Sequence, residues 1–438
     1  MKIPKRIASA VINSLKGGVV PRIGLPYITV GRETEINALL HDVDIISEGG
    51  ASFRFISGRY GSGKSFLLQT IRSYVMDRGF AVADADLSPE RRLQGTKGQG
   101  LATYKELIRN LSTKTRPEGG ALTLILDRWI SGVQSETAAE SGLSPDDPAF
   151  AKRVEQKIYA VTGALGELVH GFDFARLLTI YYRAYLDGDD ESKAKVVKWF
   201  RGEYSTKSEA KAELGVNIIV TDDDWYEYIK LFAMFLKMAG YSGMLILIDE
   251  LVNIYKIPNA ITRQYNYEKI LTMYNDTLQG KAQYLGIIMC GTPQCIEDNR
   301  RGIYSYEALR SRLAEGRFSS ESVKDMLAPV IQLRPLTYEE MLVLTEKLTE
   351  IHAVLFDYTP TLTQDDLVTF IKIEFGRIGA DTNITPREVI RDFIELLDII
   401  YQHPEQSVAG LLGSNEFSYA KTQLEEQTEE NGFTEFEL

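Results

Sequence analysis

The chain has 438 residues, a hydrophobic content of 44% and a net charge of −12, as expected of a folded protein with two or three domains. Its two cysteines are too few for a disulfide framework, and its four histidines have no metal-ligand spacing. No apolar stretch is long enough to span a membrane or to act as a signal peptide. We therefore expect a cytoplasmic protein with no membrane association.

The N-terminal segment, residues 1–26, is basic although the chain as a whole is acidic. No aspartate or glutamate occurs between residues 1 and 32. Both a solvated surface and a surface that binds phosphate or nucleic acid fit such a stretch. The basic residues of this stretch are Lys2, Lys5, Arg6, Lys16, Arg22 and Arg32.

A glycine-rich loop follows the first predicted strand, residues 53–57. Residues 58–65 read Gly-Arg-Tyr-Gly-Ser-Gly-Lys-Ser, which matches the phosphate-loop pattern G-x-x-x-x-G-K-S/T. Its glycines let backbone N–H groups point at a phosphate, and a helix predicted from Lys64 adds its positive end. We expect ATP here, with Lys64 at the β- and γ-phosphates and Ser65 on Mg²⁺. The predicted binding residues are Gly58, Arg59, Tyr60, Gly61, Ser62, Gly63, Lys64, Ser65 and Phe66.

The alternation of strand, helix and a second predicted strand at residues 80–84 predicts a parallel sheet. Residues 89–116, which follow, are again basic, so a solvated surface and a nucleic-acid contact both remain open. From residue 122 to 221 the pattern is amphipathic and helical, which predicts a helical insertion. The basic residues of the 89–116 segment are Arg91, Arg92, Lys97, Lys105, Arg109, Lys114 and Arg116.

Two acidic residues follow the predicted strand at residues 244–248. Upstream of it, three aspartates at residues 222–224 are expected to cap a helix that runs to Ala239. Asp249 and Glu250 come directly after the strand, at the edge of the sheet where the phosphate loop is also expected. We predict that Asp249 holds Mg²⁺ and that Glu250 orients and deprotonates the water that attacks the γ-phosphate.

Polar and basic residues further along extend this predicted site. A strand over residues 284–290 leads to Thr292, whose hydroxyl can sense the γ-phosphate at the same edge of the sheet. Arg310 and Arg312 lie near a helix end, where either can reach the nucleotide of a neighbouring subunit. A salt-bridged helix face is the alternative for both. A last strand is predicted at residues 330–333.

The order of these motifs resembles that of the AAA+ ATPases, especially the origin-recognition and STAND branches. Residues 27–35 are similar to the V-G-R-E-x-E box that precedes the phosphate loop in that group. The resemblance implies that Val30, Gly31 and Arg32 lie against adenine. Residues 58–65 correspond to Walker A, and the strand ending in Asp249 and Glu250 corresponds to Walker B.

The same resemblance implies the functional residues of a lid and a sensor. Thr292 takes the sensor-one position, residues 333–340 are similar to the start of a helical lid, and Arg387 takes the sensor-two position at the γ-phosphate. The implied fold is α/β, an AAA+-like parallel sheet flanked by helices. The implied divisions are a core at 27–121 and 222–334, the insertion at 122–221, a C-terminal helical lid at 335–403 and an acidic tail at 404–438.

A closer resemblance covers the whole chain, including the segments at residues 4–6, 18–25 and 86–93. It is to the P-loop ATPase family that includes an ATP-binding protein of the BREX bacteriophage-exclusion systems. The resemblance implies a prokaryotic anti-phage ATPase, a homo-oligomer, that works with DNA and with a large Lhr-like helicase or other defence proteins. The chain differs from the origin-recognition pattern because it has a long insertion and no winged-helix domain after the lid. The 89–116 segment is therefore the candidate for DNA contact.

Two further functions share the same predicted site. One is a nucleotide-gated switch or scaffold with slow hydrolysis and a protein partner, and the phosphate loop alone does not distinguish it from a DNA-linked ATPase. The other is a small-molecule kinase, which the acidic pair and the lid motif disfavour because they suit water activation better than transfer to a metabolite.

Overall fold

The structure is a computed structural model that describes residues 3–314, 316, 324–376 and 385–413. These residues form two compact units. The terminal unit comprises the described residues of Met1–Val30 and Thr337–Leu438, and the sheet unit comprises those of Gly31–Leu336. The chain therefore passes between the units twice, after residue 30 and after residue 336.

The described residues form five strands and a larger set of helices. No helix in the described part of the chain is both long enough and apolar enough to cross a bilayer. The strands are β1 Ala51–Ser57, β2 Ala81–Asp86, β3 Met244–Asp249, β4 Leu285–Gly291 and β5 Val330–Gln332. The helices are α1 Lys5–Lys16, α2 Leu25–Ile28, α3 Glu33–Ser47, α4 Lys64–Asp77, α5 Gln99–Arg109, α6 Leu122–Ser141, α7 Phe150–Thr162, α8 Gly171–Asp187, α9 Asp190–Phe200, α10 Lys207–Leu214, α11 Trp225–Met238, α12 Val252–Tyr255, α13 Ala260–Leu278, α14 Pro293–Glu297, α15 Glu307–Leu313, α16 Tyr338–Phe356, α17 Gln364–Gly376, α18 Pro386–Gln402 and α19 Val408–Gly413, with 3₁₀ turns at Gly163–Glu167 and Ile303–Ser305.

The five strands form one parallel sheet in the order β2-β3-β4-β1-β5. This confirms the predicted α/β fold, and each predicted strand lies within two residues of the observed one. Register aligns the carboxyl ends of the strands, since Ser57 is paired with Gly291 and Asp86 with Asp249. Side chains that follow these strands are consequently presented at one edge of the sheet.

Helices cover both faces of the sheet, as its apolar strands require. Along β1, Phe53 and Phe55 point into one hydrophobic cluster and Ile56 points into the other because successive strand side chains alternate in direction. Helices α3 and α4 cover the side of Ile56. The opposite cluster contains residues from α5, α11, α13 and the segment at 122–221.

The segment at residues 122–221 contains helices α6 to α10, a 3₁₀ turn and, within its described residues, no strand. Its aromatic side chains contact α11, which precedes β3. Trp129 lies 5.2 Å from Phe235 between ring centroids, and Phe174 lies 5.2 Å from Phe232. The insertion therefore packs into the same hydrophobic core as one face of the sheet.

The prediction that the aspartates at 222–224 cap the following helix is wrong for Asp222 and Asp224. Asp224 precedes α11 without capping it and instead accepts from the Thr221 backbone N–H and hydroxyl, each at 2.7 Å. The Asp222 carboxylate accepts from Gly98 and Leu101 backbone N–H groups, each at 2.7 Å. Asp222 thus accepts hydrogen bonds from free backbone N–H groups at the start of α5, a helix more than a hundred residues earlier in the chain.

The terminal unit joins the N-terminal helix to the helices predicted as a lid. Helix α1 lies within residues 1–26 and buries Ala8, Val11 and Ile12 while packing against α16 and α18. Thr337 and Thr385 each form a capping box, with Glu340 at the start of α16 and with Glu388 at the start of α18. The predicted sensor-two motif spans residues 384–388. Its residue 384, and residues 414–438 of the predicted tail, lie outside the described residues.

A buried histidine and its aspartate partner connect three helices of the terminal unit. His352 on α16 is fully buried; its Nδ1 lies 2.8 Å from the Tyr358 hydroxyl and its Nε2 lies 3.2 Å from Asp398 Oδ1 on α18. Asp398 also accepts from Lys16 at the end of α1. Burial lowers the pKa of His352, and the neighbouring Asp398 carboxylate opposes this shift only in part.

The stability of the terminal unit should fall as the pH drops below about 6.5, the pKa of an unfolded histidine. The unfolded chain then takes up a proton that buried His352 does not take up until a lower pH, so the free energy of unfolding decreases by up to ~1.4 kcal/mol per pH unit. Hydrogen exchange of α16 between pH 5 and 8, corrected for intrinsic rates, measures this. His352→Gln should remove the effect, and His403→Gln, at an exposed position, should not. An equal pH dependence in the His352 variant would rule out this histidine as the cause.

Candidate functional site

The glycine-rich loop connects β1 to α4 at the carboxyl edge of the sheet. Gly63, directly before α4, has a φ of 94°, in the left-handed region that favours glycine. A Cβ added at Gly58 would lie 2.5 Å from the Ser62 hydroxyl oxygen, so the loop folds closely over that glycine. A Cβ added at Gly63 would meet no atom within 4 Å. The loop therefore has the tight backbone turn and the open space beside the helix start that a phosphate needs.

Lys64, the first residue of α4, turns its side chain back over this loop. Its Nζ donates to the carbonyl oxygens of Gly58 at 2.8 Å and Arg59 at 2.9 Å. Burial lowers the pKa of Lys64, and the nearby carboxylates of Asp249 and Glu250 oppose that shift. The lysine therefore lies close to both the phosphate loop and the acidic pair.

The hydroxyl of Ser65 meets the first carboxylate of the acidic pair. Ser65 Oγ donates to Asp249 Oδ2 at 2.7 Å, although the two residues lie 184 positions apart. A hydroxyl and a carboxylate are oxygen ligands of the kind that Mg²⁺ prefers. Among the described residues, no group of three or more His, Cys, Asp or Glu side chains is arranged to hold a metal. The two oxygens of Ser65 and Asp249 fit an ion such as Mg²⁺, which commonly takes its other ligands from phosphate and water.

Glu250 lies immediately beyond β3 and is exposed. Its φ is 63° and its backbone N–H donates to Asp249 Oδ1 at 2.8 Å. A left-handed conformation is uncommon for a glutamate and persists only where the surroundings enforce it, often at functional sites. The bend directs the chain out of the sheet directly after the acidic pair.

Asp86, at the end of β2, is a member of this acidic edge that the sequence interpretation missed. It is paired with Asp249 in the sheet register. Burial raises the pKa of Asp86, and the carboxylates of Asp249, Asp84 and Glu250 raise it further. Its position two residues after a predicted parallel strand was the signal that could have identified it.

Thr292 follows β4, the strand that lies between β1 and β3 in the sheet. Its hydroxyl oxygen lies 3.0 Å from Cys295 Sγ and accepts from the Cys295 N–H at 3.4 Å, capping the short helix α14. The Gly58 N–H donates to the Gly291 carbonyl at 3.1 Å. The structure thus brings Thr292, Asp249 and the phosphate loop to neighbouring strand ends.

The sequence model of one protein family, described as "BREX system ATP-binding protein BrxC/D", matches residues 3–416 of the chain. The chain belongs to this family. The match confirms the resemblance to BREX ATP-binding proteins that the sequence motifs indicated, and it makes ATP the nucleotide to be expected at the phosphate loop. A search of curated proteins found no match to the chain.

The Arg32 side chain of this BREX family protein forms hydrogen bonds within the protein itself. Its guanidinium donates to the Ser62 carbonyl at 3.0 Å, to the Arg334 carbonyl at 2.7 Å and to Glu35 at 3.2 Å. Gly31 and Arg32 belong to the sheet unit, and Val30 is the last residue of the first stretch of the terminal unit. The adenine contact implied for these three residues stays a prediction. In the phosphate loop itself, Arg59 and Tyr60 are exposed and Phe66 is partly buried.

The three predicted catalytic arginines lie on helices, two of them on α15 and one on α18. Arg310 Nη2 lies 3.9 Å from Glu307, and Arg312 donates to the Ala308 carbonyl at 2.6 Å, so both contact their own helix, α15. Arg387 is the second residue of α18 in the terminal unit. The roles of these arginines at the nucleotide stay predictions.

The basic segment at residues 89–116 is divided between the two ends of β2. Its first part follows β2, where the Leu87 N–H donates to the Asp249 carbonyl at 3.1 Å. Helix α5 then returns along the sheet, and Ser112 exchanges backbone hydrogen bonds with Val82 at the start of β2. Lys114 lies 2.9 Å from Asp77 at that far end. These basic side chains therefore do not form one continuous surface.

Proposed function

We propose that this BREX family protein hydrolyses ATP, with Mg²⁺ as its metal cofactor, at the edge formed by β1, β4 and β3. The observation that carries the proposal is the 2.7 Å hydrogen bond between Ser65 and Asp249. It joins the end of the phosphate loop to the acidic pair, which a hydrolytic site requires and a simple nucleotide-binding loop does not. When bound, Mg²⁺ would offset negative charge on the phosphate oxygens.

Each side chain at this edge has a separate role in hydrolysis. Lys64 binds the β- and γ-phosphates in place of the loop carbonyls that it now contacts, and Ser65 and Asp249 hold the metal. Glu250 orients the attacking water and accepts its proton. Thr292, beside the same edge, contacts the γ-phosphate or the water through its hydroxyl.

An assembly of several copies would complete the site through an arginine of a neighbouring subunit. Arg310 and Arg312 support this role because both are exposed and lie on the same short helix. A guanidinium supplied in this way stabilises charge that develops on the phosphate during transfer. Hydrolysis would then depend on the concentration of protein.

DNA, or a helicase or other defence protein that processes DNA, is the proposed partner. Basic residues at both ends of β2 support DNA contact, and Lys97, Arg109 and Arg116 are exposed. Because the acidic chain repels DNA overall, any contact must be local. The switch or scaffold with a protein partner is the alternative outcome.

Steady-state ATPase rates of the full chain test these proposals, measured against protein concentration and against single- and double-stranded DNA. We expect the rate per subunit to rise with protein concentration and with DNA. If about three phosphates are contacted, the DNA affinity should weaken roughly 40-fold for a fourfold increase in salt. A rate per subunit that does not depend on concentration contradicts the neighbouring arginine. ATP binding without turnover contradicts hydrolysis and favours the switch, and absence of a DNA response contradicts DNA as a partner.

A further inference from the structure

The guanidinium of Arg32 connects three segments that are far apart in the sequence. It is 5% exposed and donates to the Ser62 carbonyl in the phosphate loop and to the Arg334 carbonyl after β5, while Glu35 on α3 balances its charge. Arginine suits this position because its planar group donates several hydrogen bonds in fixed directions. A lysine at this position would lack that geometry.

Arg32 also lies next to both places where the chain passes between the two units. The first crossing follows residue 30 and the second follows residue 336. Arg32 is two residues beyond the first crossing, and its partner Arg334 is two residues before the second. Both connections are therefore held to each other, within the sheet unit, by one side chain that also contacts the phosphate loop.

The contacts around Arg334 strengthen this arrangement. The Leu333 N–H donates to the Ser57 carbonyl at 2.7 Å, and the Leu333 Cβ would lie 3.3 Å from a Cβ added at Gly58. The segment after β5 thus lies directly against the start of the phosphate loop. A shift of that loop cannot leave the segment unaffected, because packed contacts of this kind transmit displacement.

The backbone at Arg32 is strained in a way that its side-chain contacts explain. Its φ is 66°, a left-handed value that is uncommon for a non-glycine residue and persists only where the surroundings enforce it. Arg32 also accepts the first backbone hydrogen bond of α3, from Ile36 at 2.8 Å. The strained residue is therefore held by the phosphate loop, by the second connection and by its own helix.

We infer that Arg32 is a positioning residue that couples ATP binding at the phosphate loop to the order of both connections between the units. ATP pulls the loop N–H groups towards its phosphates, which fixes the Ser62 carbonyl and, through Arg32, the Arg334 carbonyl. The inference rests on the ATP-binding part of the proposed function and does not require hydrolysis.

Hydrogen exchange of the full chain with and without ATP tests this coupling. In the wild type, ATP should slow exchange in the phosphate loop, residues 58–63, and in residues 333–336 together. At ATP concentrations that saturate both proteins, Arg32→Lys should keep the protection of 58–63, and the ATP-dependent protection of 333–336 should fall about tenfold, equivalent to ~1.4 kcal/mol of coupling. Arg32→Gly, which tolerates the positive φ but lacks the guanidinium, should show the same loss.

Arg54 provides the matched control for these variants. It is also buried, pairs with Asp42 and donates to the carbonyls of Leu327 and Ala328. None of these hydrogen bonds involves the phosphate loop. Arg54→Lys should lower stability but leave the ATP-dependent protection of 333–336 within about twofold of the wild type.

Three results would overturn the inference. The first is that bound ATP does not change exchange at residues 333–336 of the wild type. The second is that Arg32→Lys keeps the wild-type protection of these residues, and the third is that Arg54→Lys loses as much ATP-dependent protection there as Arg32→Lys does. ATPase rates measured on the same samples keep the two proposals apart. A wild type that binds ATP without hydrolysing it contradicts the proposed hydrolysis, and the exchange data still decide the role of Arg32.

Discussion

Changing Glu250 to glutamine should lower ATP turnover by roughly 10²- to 10⁴-fold, the usual contribution of a general base, while ATP affinity changes by less than about threefold. Glutamine keeps the size of the side chain but cannot accept the proton of the attacking water. Glu250 is exposed, and its hydrogen bond to Asp249 is made by its backbone N–H. The substitution should therefore leave the hydrogen bond between Ser65 and Asp249 undisturbed. Single-turnover hydrolysis and equilibrium ATP binding measure the two effects separately.

The left-handed backbone at Glu250 requires a second variant and a control. Glu250→Gly accommodates the φ of 63° and removes the carboxylate, so it should lose turnover as Glu250→Gln does. Glu268→Gln, at a partly buried glutamate on α13, should retain wild-type turnover. Turnover near the wild-type rate in both Glu250 variants would show that another group activates the water.

Changing Lys64 to alanine should weaken ATP binding by roughly 10- to 100-fold, the range expected for losing a charge-assisted hydrogen bond of about 1.5–3 kcal/mol. The side chain donates to the loop carbonyls of Gly58 and Arg59 at 2.8 and 2.9 Å. With ATP bound, its charge is expected to move onto the phosphates. Calorimetric titration with Mg²⁺ and ATP measures the loss of affinity.

Removal of Lys64 also leaves the Gly58 and Arg59 carbonyls without their present donor, so folding of the loop must be checked. Lys64→Arg keeps the positive charge but changes the shape of the side chain, so it separates the contribution of the charge from that of the shape. Thermal unfolding without nucleotide reports on the fold of both variants. Lys105→Ala, at a partly buried lysine on α5, is the control for general loss of positive charge. Unchanged ATP affinity in Lys64→Ala would exclude the lysine from the phosphate site.

The sheet and the position of the phosphate loop were predictable because their signals are local. Apolar runs bounded by glycine and polar residues placed all five strands, and the G-x-x-x-x-G-K-S pattern located the connection from β1 to α4. The acidic pair was recognisable because Asp249 and Glu250 directly follow a strand of apolar residues. The parallel order then implied that both motifs lie at one edge.

Three side chains show what local signals do not reveal. Asp222 has the sequence context of a cap for the next helix, yet it caps α5. Asp86 takes its place among the carboxylates only through its register with Asp249. Arg32 occurs in a motif whose implied adenine contact stays a prediction, and the local sequence did not reveal that its guanidinium donates to the carbonyls of Ser62 and Arg334.

By itself, the sequence determined the α/β class, the phosphate loop and the acidic pair, because each of these depends on residues that are neighbours along the chain. It also determined membership of the BREX ATP-binding family, whose model matches residues 3–416. Tertiary structure alone decided which distant residues meet: Ser65 with Asp249, Asp222 with the start of α5, and Arg32 with the phosphate loop and the segment after β5. The physical reason is that a hydrogen bond depends on distance and direction between two groups, and the packing of the sheet and its helices sets both for residues far apart in sequence.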